Sequence, residues 1–167
     1  IPAFAVVACP TKRQPLSDLT FITSYLIIPG FIKNGKFSIT TFALSIISFV
    51  DSDLLSQAEH GPDSQVLLVS TSSIVVDQIN DALASQLAVL PRKNIAQQAL
   101  ENSTAIVVDS MEQAIFIVNS YAAEHLIIAC KNDEVIGEQI TNAGSVFLGN
   151  YSPESVGDYA SGTNHTL

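Results

Sequence analysis

From Val66 to Leu148 the chain alternates short, wholly apolar runs with longer segments whose apolar residues recur every three or four positions. Few architectures accept that pattern. An apolar run of four or five residues suits a strand covered on both faces, and helices between such strands return the chain to the same edge. Strands are expected at Val66–Ser70, Ala105–Val108, Leu126–Cys130 and Ser145–Leu148. Ser72 or Ser73 should cap a helix that buries Val76, Ile79, Leu83 and Leu87, and Pro91 should break it. A shorter helix follows over Asn94–Leu100. Ser110 and Gln113 have capping-box spacing and open a helix that buries Ala114, Ile115 and Val118. A last helix through Val135, Ile136, Ile140 and Ala143 should end near Gly144. The fold class is therefore α/β: a Rossmann-like parallel sheet with helices on both faces.

Length and composition agree with this. The 167 residues are enough for one domain with a real core, and 47% of them are hydrophobic, which argues against disorder. The net charge of −9 argues against nucleic acid or an anionic membrane as partner. That charge is uneven. Residues 1–50 carry Lys12, Arg13, Lys33 and Lys36 against Asp18 alone, whereas Arg92, Lys93 and Lys131 face all the other acids. The break suggests two units: residues 1–50, an apolar segment of separate or misread origin, and the α/β domain at 51–167. Within the first, Leu19–Ile32 and Phe37–Val50 flank Asn34-Gly35, a hairpin signal. Each run is short of the roughly twenty residues that a spanning helix needs, so β structure is expected rather than a membrane anchor. Asp51–His60 reads as a short helix, with Asp51 or Ser52 as cap and Leu54, Leu55 and Ala58 inward. Cys9 and Cys130 lack metal-type spacing. Cys130 closes an apolar run and is expected to be a buried free thiol, which suits a reducing compartment. No secretory signal opens the chain. It begins at Ile1 rather than Met and is expected to be part of a longer protein.

The candidate chemistry is sparse. Gln57 and His60 stand three apart on the expected short helix, where an amide oxygen and an imidazole on one face could ligate zinc, though any helix offers such pairs. Glu124 and His125 precede a strand and could divide proton-transfer work, or be a surface acid beside a half-buried histidine. After Ser145–Leu148 comes a long polar loop, Gly149 to His165, in the place where α/β folds bind ligands. Asp158 in that loop could be a carboxylate ligand or an Asx-turn residue. Gln57, His60 and Asp158 form a mixed nitrogen and oxygen set that suits a catalytic metal with an exchangeable position.

Three stretches carry a family resemblance: Asp53-Leu54-Leu55-Ser56-Gln57-Ala58-Glu59-His60-Gly61-Pro62-Asp63-Ser64-Gln65, then Ala123-Glu124-His125-Leu126, then Gly144 to His165. Residues 51–167 resemble an internal segment of histidinol dehydrogenase. The resemblance implies a zinc-dependent, NAD-linked oxidoreductase that takes L-histidinol to L-histidine through an aldehyde, in the last steps of histidine biosynthesis. It implies Gln57, His60 and Asp158 as zinc ligands that also hold substrate, together with His125. It implies His125 as the base for alcohol oxidation and Glu124 as the activator of water. The cofactors are then Zn2+ and NAD, with the NAD-binding residues unassigned here. The partners are L-histidinol and a second copy, in a homodimer of the cytoplasm, or of the plastid in a plant.

The departures from the family matter too. Ala123 stands where the family usually has Pro. A further zinc ligand and the nucleotide-binding domain fall outside the matched segment. The Gly-Pro-Ser-Glu motif that precedes the match in the family has only a faint echo in Ala8-Cys9-Pro10-Thr11. The competing expectation is a catalytically inactive α/β fragment or pseudogene product.

Overall fold

A computed structural model describes residues 3–8, 27–29 and 44–152 of the chain. In chain order the elements are β1 (Ala3–Ala8), β2 (Ile27–Pro29), α1 (Leu44–Ala58), β3 (Gln65–Ser70), α2 (Ser73–Val89), α3 (Lys93–Glu101), β4 (Thr104–Val107), α4 (Met111–Tyr121), β5 (His125–Ala129), α5 (Asp133–Gly137) and β6 (Ser145–Leu148). They build one six-stranded sheet in the order β2-β4-β3-β1-β5-β6. Five strands are parallel, and β2 pairs antiparallel with β4 at one margin.

The alternation of side chains along the strands divides the core into two layers. Val6, Ala8, Val66, Leu68, Ile127 and Ala129 face α1, α2 and α3. Ala5, Val7, Leu67, Val69, Leu126 and Ile128 face α4 and α5. Helices therefore cover both faces, as the alternating pattern implies.

Local chemistry sets most element ends where the sequence places them. Ser72 accepts a hydrogen bond from Val75 N, and Val76, Ile79, Leu83 and Leu87 are buried. Ser110 accepts from Gln113 N, while the Gln113 amide oxygen accepts from Asp109 N at 3.0 Å, which closes the box one residue earlier than Ser110 itself.

Four expectations need correction. The helix before Gly61 does not start at Asp51: α1 begins at Leu44, because the apolar stripe Ile47, Val50, Leu54, Ala58 continues at helical spacing through that point. Leu44–Val50 is therefore helical rather than half of a hairpin, and β2 pairs with β4 instead. The expected domain boundary at residue 51 falls inside α1, and β1 lies in the centre of the sheet. The helix expected to end near Gly144 stops at Gly137: Gln139 N and Ile140 N donate to Ile136 O and Gly137 O in tighter turns, and Asn119 Oδ1 then accepts from Thr141 N (2.8 Å) and Asn142 N (3.2 Å). Val135 is exposed there, while Ile136 is buried.

Cys130 is disulfide-bonded, not a free thiol. Cys130 follows the end of β5, whose Ala129 is level with Ala8 of β1. Cys9 itself lies outside the described residues. Among the described residues no helix is long and apolar enough to cross a membrane.

Two features of this frame give testable consequences. Asp51 is fully buried in α1, and its Oδ2 has no hydrogen-bond partner. Burial pushes its carboxyl up to about 7, against the opposing pull of the Ser52 and Asp51 backbone hydrogen bonds and with a small push from Asp53. The folded chain thus holds this proton more tightly than the unfolded chain. The stabilising contribution is complete below about pH 4 and is lost as pH rises to about 7. Asp51→Asn should remove that dependence and be more stable by about 1–3 kcal/mol at pH 8. Urea denaturation of both chains at several pH values checks this; profiles that stay parallel from pH 4 to 8 contradict it. At the other feature, Gly144 N donates to Ala123 O (3.0 Å) and Ser145 N to Glu124 O (2.8 Å). A Cβ on Gly144 would lie 2.6 Å from the Glu124 carbonyl oxygen, a backbone atom that cannot yield cheaply. Gly144→Ala should cost about 1–3 kcal/mol by prising β6 from β5, measured by the same denaturation.

Candidate functional site

The parallel register decides which candidate residues meet. Ala3 is level with Gln65, and Phe4 is level with His125. The starts of β3 and β5 therefore lie at one edge of the sheet, with β1 alone between them, or about 10 Å apart across the two pairings. The end of α1 leads into β3 at that edge, and Glu124 leads into β5 there. Gln57, His60, Glu124 and His125 thus share the edge where the strands begin. The loop after β6 leaves from the opposite edge, where ligands were expected from the fold class.

Face as well as edge is shared. α1 packs on the layer that contains Val66, Leu68 and Ile127. His125 alternates with Ile127 and Ala129, and its ring meets Phe147 of the same layer edge-on at 6.0 Å and 61°. His125 is buried, at 6% exposure, and Glu124 beside it is half-buried. Ala122, which ends α4 just before this pair, has a left-handed backbone (φ 54°) that favours glycine.

Gln57 and His60 do not share a helix face as their spacing suggested. α1 ends at Ala58, so Gln57 lies in the last turn and His60 in the bend beyond, tied back by His60 N donating to Gln57 O at 3.2 Å. Gln57 is buried at 2% exposure, whereas His60 is exposed. The Gln57 side-chain oxygen is buried with no hydrogen-bond partner. An amide oxygen in that condition is costly unless something accepts its lone pairs, and a divalent cation would do so. A neutral amide oxygen and an imidazole are donors that a borderline metal accepts; Asp158, the expected carboxylate ligand, lies outside the described residues. Among the described residues no three His, Cys, Asp or Glu side chains are grouped to hold a metal.

Chain length permits Asp158 to join. Tyr151, three residues past β6, packs edge-on against Phe49 of α1 at 5.2 Å and 71°. The loop has therefore already crossed to the face that carries Gln57. From Phe49 to Gln57 is about 12 Å along the helix. Seven residues from Tyr151 to Asp158 can span up to about 25 Å.

The bend that carries His60 is anchored on several sides. Ser64 N donates to Gly61 O (3.0 Å), and Asn102 Nδ2 donates to Pro62 O (3.4 Å). Gln65 Nε2 donates to Asn102 O and its Oε1 accepts from Tyr121 OH, both at 3.0 Å. Burial pushes the Tyr121 hydroxyl up from its ordinary range. One residue with functional potential was given no role in the sequence reading. Ser64, just before β3, is buried at 1% exposure, and its hydroxyl has no partner. The only signal was its place in the Gly61-Pro62-Asp63-Ser64 stretch, where turn chemistry is a sufficient explanation for a serine.

Comparison with known proteins bears on the family and the fold. Residues 44–167 match the histidinol dehydrogenase family. Histidinol dehydrogenase of Aliivibrio fischeri is 58% identical over 119 residues, 71% of this chain and 27% of that protein. The Vibrio cholerae enzyme is 55% identical over 120 residues, 72% of this chain and 28% of that protein. The crystal structure of histidinol dehydrogenase from Elizabethkingia anophelis superposes with a TM-score of 0.76 at 44% identity, over 99% of this chain and 31% of that one. The chain therefore spans less than a third of the length of these relatives. On the strength of this match, the chain belongs to the histidinol dehydrogenase family.

Proposed function

We propose that this chain carries the zinc-binding and proton-transfer residues for the NAD-linked oxidation of L-histidinol to L-histidine by way of an aldehyde. The observation that carries the reading is the buried, unpartnered Gln57 oxygen, next to His60 and on the edge and face where His125 lies. Gln57, His60 and Asp158 would hold zinc, and together with His125 they would hold substrate. Bound zinc would act as a Lewis acid that orients the amino alcohol, while NAD would accept the hydride of each oxidation.

The remaining work belongs to side chains of this sequence. A His125 ring nitrogen takes the hydroxyl proton, so that the carbon-bound hydrogen can leave with its electron pair. Phe147 packs edge-on against the ring and makes that side apolar. In the second oxidation the Glu124 carboxylate takes a proton from the water that adds to the aldehyde carbon. Glu124 lies in the bend that leads into β5 and His125 is the first residue of that strand, so the two groups are adjacent at the edge where the strands begin. A homodimer, as the resemblance implies, is part of the same proposal.

Isothermal titration tests this directly. The chain should bind Zn2+ one to one, and Gln57→Ala and His60→Ala should each weaken binding at least about tenfold. L-Histidinol should bind the zinc-loaded chain and not the metal-free chain. Unchanged zinc affinity in both variants contradicts the ligand assignment. The second reading, no turnover by a polypeptide limited to these 167 residues, is tested by an activity assay. Histidinol-dependent NADH formation by residues 1–167 alone is accordingly expected to be undetectable, and a measurable rate contradicts that expectation.

A further inference from the structure

The Ser64 hydroxyl is a buried, unexplained group at the end of the bend that carries His60. Two side-chain oxygens, Gln57 Oε1 and Ser64 Oγ, are buried without partners, one on each side of the bend that carries His60. A buried unpaired hydroxyl costs about 1–3 kcal/mol, and native chains rarely keep one without a use. Gln65, the next residue, directs its side chain to Tyr121 on α4. Alternation at the start of β3 therefore turns Ser64 the other way, toward the layer under α1 that holds Gln57 and His125. The hydroxyl lies close to the residue after His60: a Cβ on Gly61 would be 3.9 Å from Ser64 Oγ. Its backbone N–H is already committed to Gly61 O, which fixes the serine in place and leaves the hydroxyl proton unspent.

We propose that Ser64 is a further positioning residue of this site. Its O–H would be donated to an oxygen of water or substrate held on the divalent ion; Gln57 Oε1 is not that acceptor in this structure, where neither atom has a partner. A hydrogen bond to an oxygen bound to the ion fixes its orientation and raises metal affinity, as outer partners of metal ligands do. The inference rests on the zinc reading of Gln57 and His60.

Four forms of the 167-residue chain test it: unaltered, Ser64→Ala, Ser64→Thr and His60→Ala, each titrated with Zn2+ alone and melted without metal. Ser64→Ala should bind Zn2+ roughly 10–100-fold more weakly, and its metal-free melting temperature should be no lower than that of the unaltered chain. A purely structural serine predicts the reverse, a lower melting temperature with the same affinity, and that result overturns the proposal. Ser64→Thr keeps the hydroxyl and should recover most of the affinity, even if its added methyl group lowers the melting temperature. Failure of Thr to recover any affinity also counts against the hydroxyl. Zinc binding that His60→Ala weakens and Ser64→Ala leaves unchanged sinks the Ser64 role alone. If the unaltered chain binds no Zn2+, or binds it equally without His60, both the zinc reading and this inference fall.

Discussion

The pairing of β1 with β3 on one side and β5 on the other is the constraint on which the site depends. Without that central strand the sheet would divide into β2-β4-β3 and β5-β6, and nothing would fix the two halves of the site at a common level. With it, Ala3 and Phe4 set Gln65 and His125 at the same edge. The hydrogen bonds of a parallel ladder are individually worth about 1 kcal/mol, but register is enforced by the core: a one-residue slip would turn Val6 and Ala8 out of one layer and into the other. Apolar burial on both faces thus determines where the polar groups stand.

The site itself is held from several directions at once. α1 brings Gln57 down onto the layer, and the bend after it is tied to the end of α3 through Asn102. On the far side of β1, Gly144 lets β6 approach the Glu124 carbonyl as no other residue could. That close approach fixes the strand that supplies Phe147, and Phe147 in turn packs on His125. Small residues and backbone contacts therefore position the candidate side chains. Asp51 shows the opposite tension: a carboxylate sealed in the same helix, six residues from Gln57, whose burial works against the fold at neutral pH.

Much of the fold could be read from the sequence because its signals are local. The strands from Val66 onward are short apolar runs that only a doubly covered sheet accommodates, and Ser72 and Ser110 are caps whose hydrogen bonds depend on residues three positions away. What could not be read depends on distant partners. Asp51 resembles a cap because an acid commonly starts a helix, yet the stripe from Ile47 to Ala58 overrides it. The anchoring of Thr141 and Asn142 depends on Asn119, some twenty residues earlier, and the Cys130 disulfide on strand order. Gln57, His60, Glu124 and His125 were identifiable through the family motifs, but their placement at the edge where the strands begin was not. Ser64 was invisible as a functional candidate, since only its burial without a partner distinguishes it from any turn serine.

The most direct test is anomalous diffraction at the zinc edge from crystals of this chain grown with Zn2+. The peak is expected on the α1 side of the sheet where β3 begins, about 2.0–2.2 Å from both the Gln57 amide oxygen and a His60 ring nitrogen. A peak at the edge where the loop after β6 departs, with Gln57 Oε1 still unpartnered, would contradict the account.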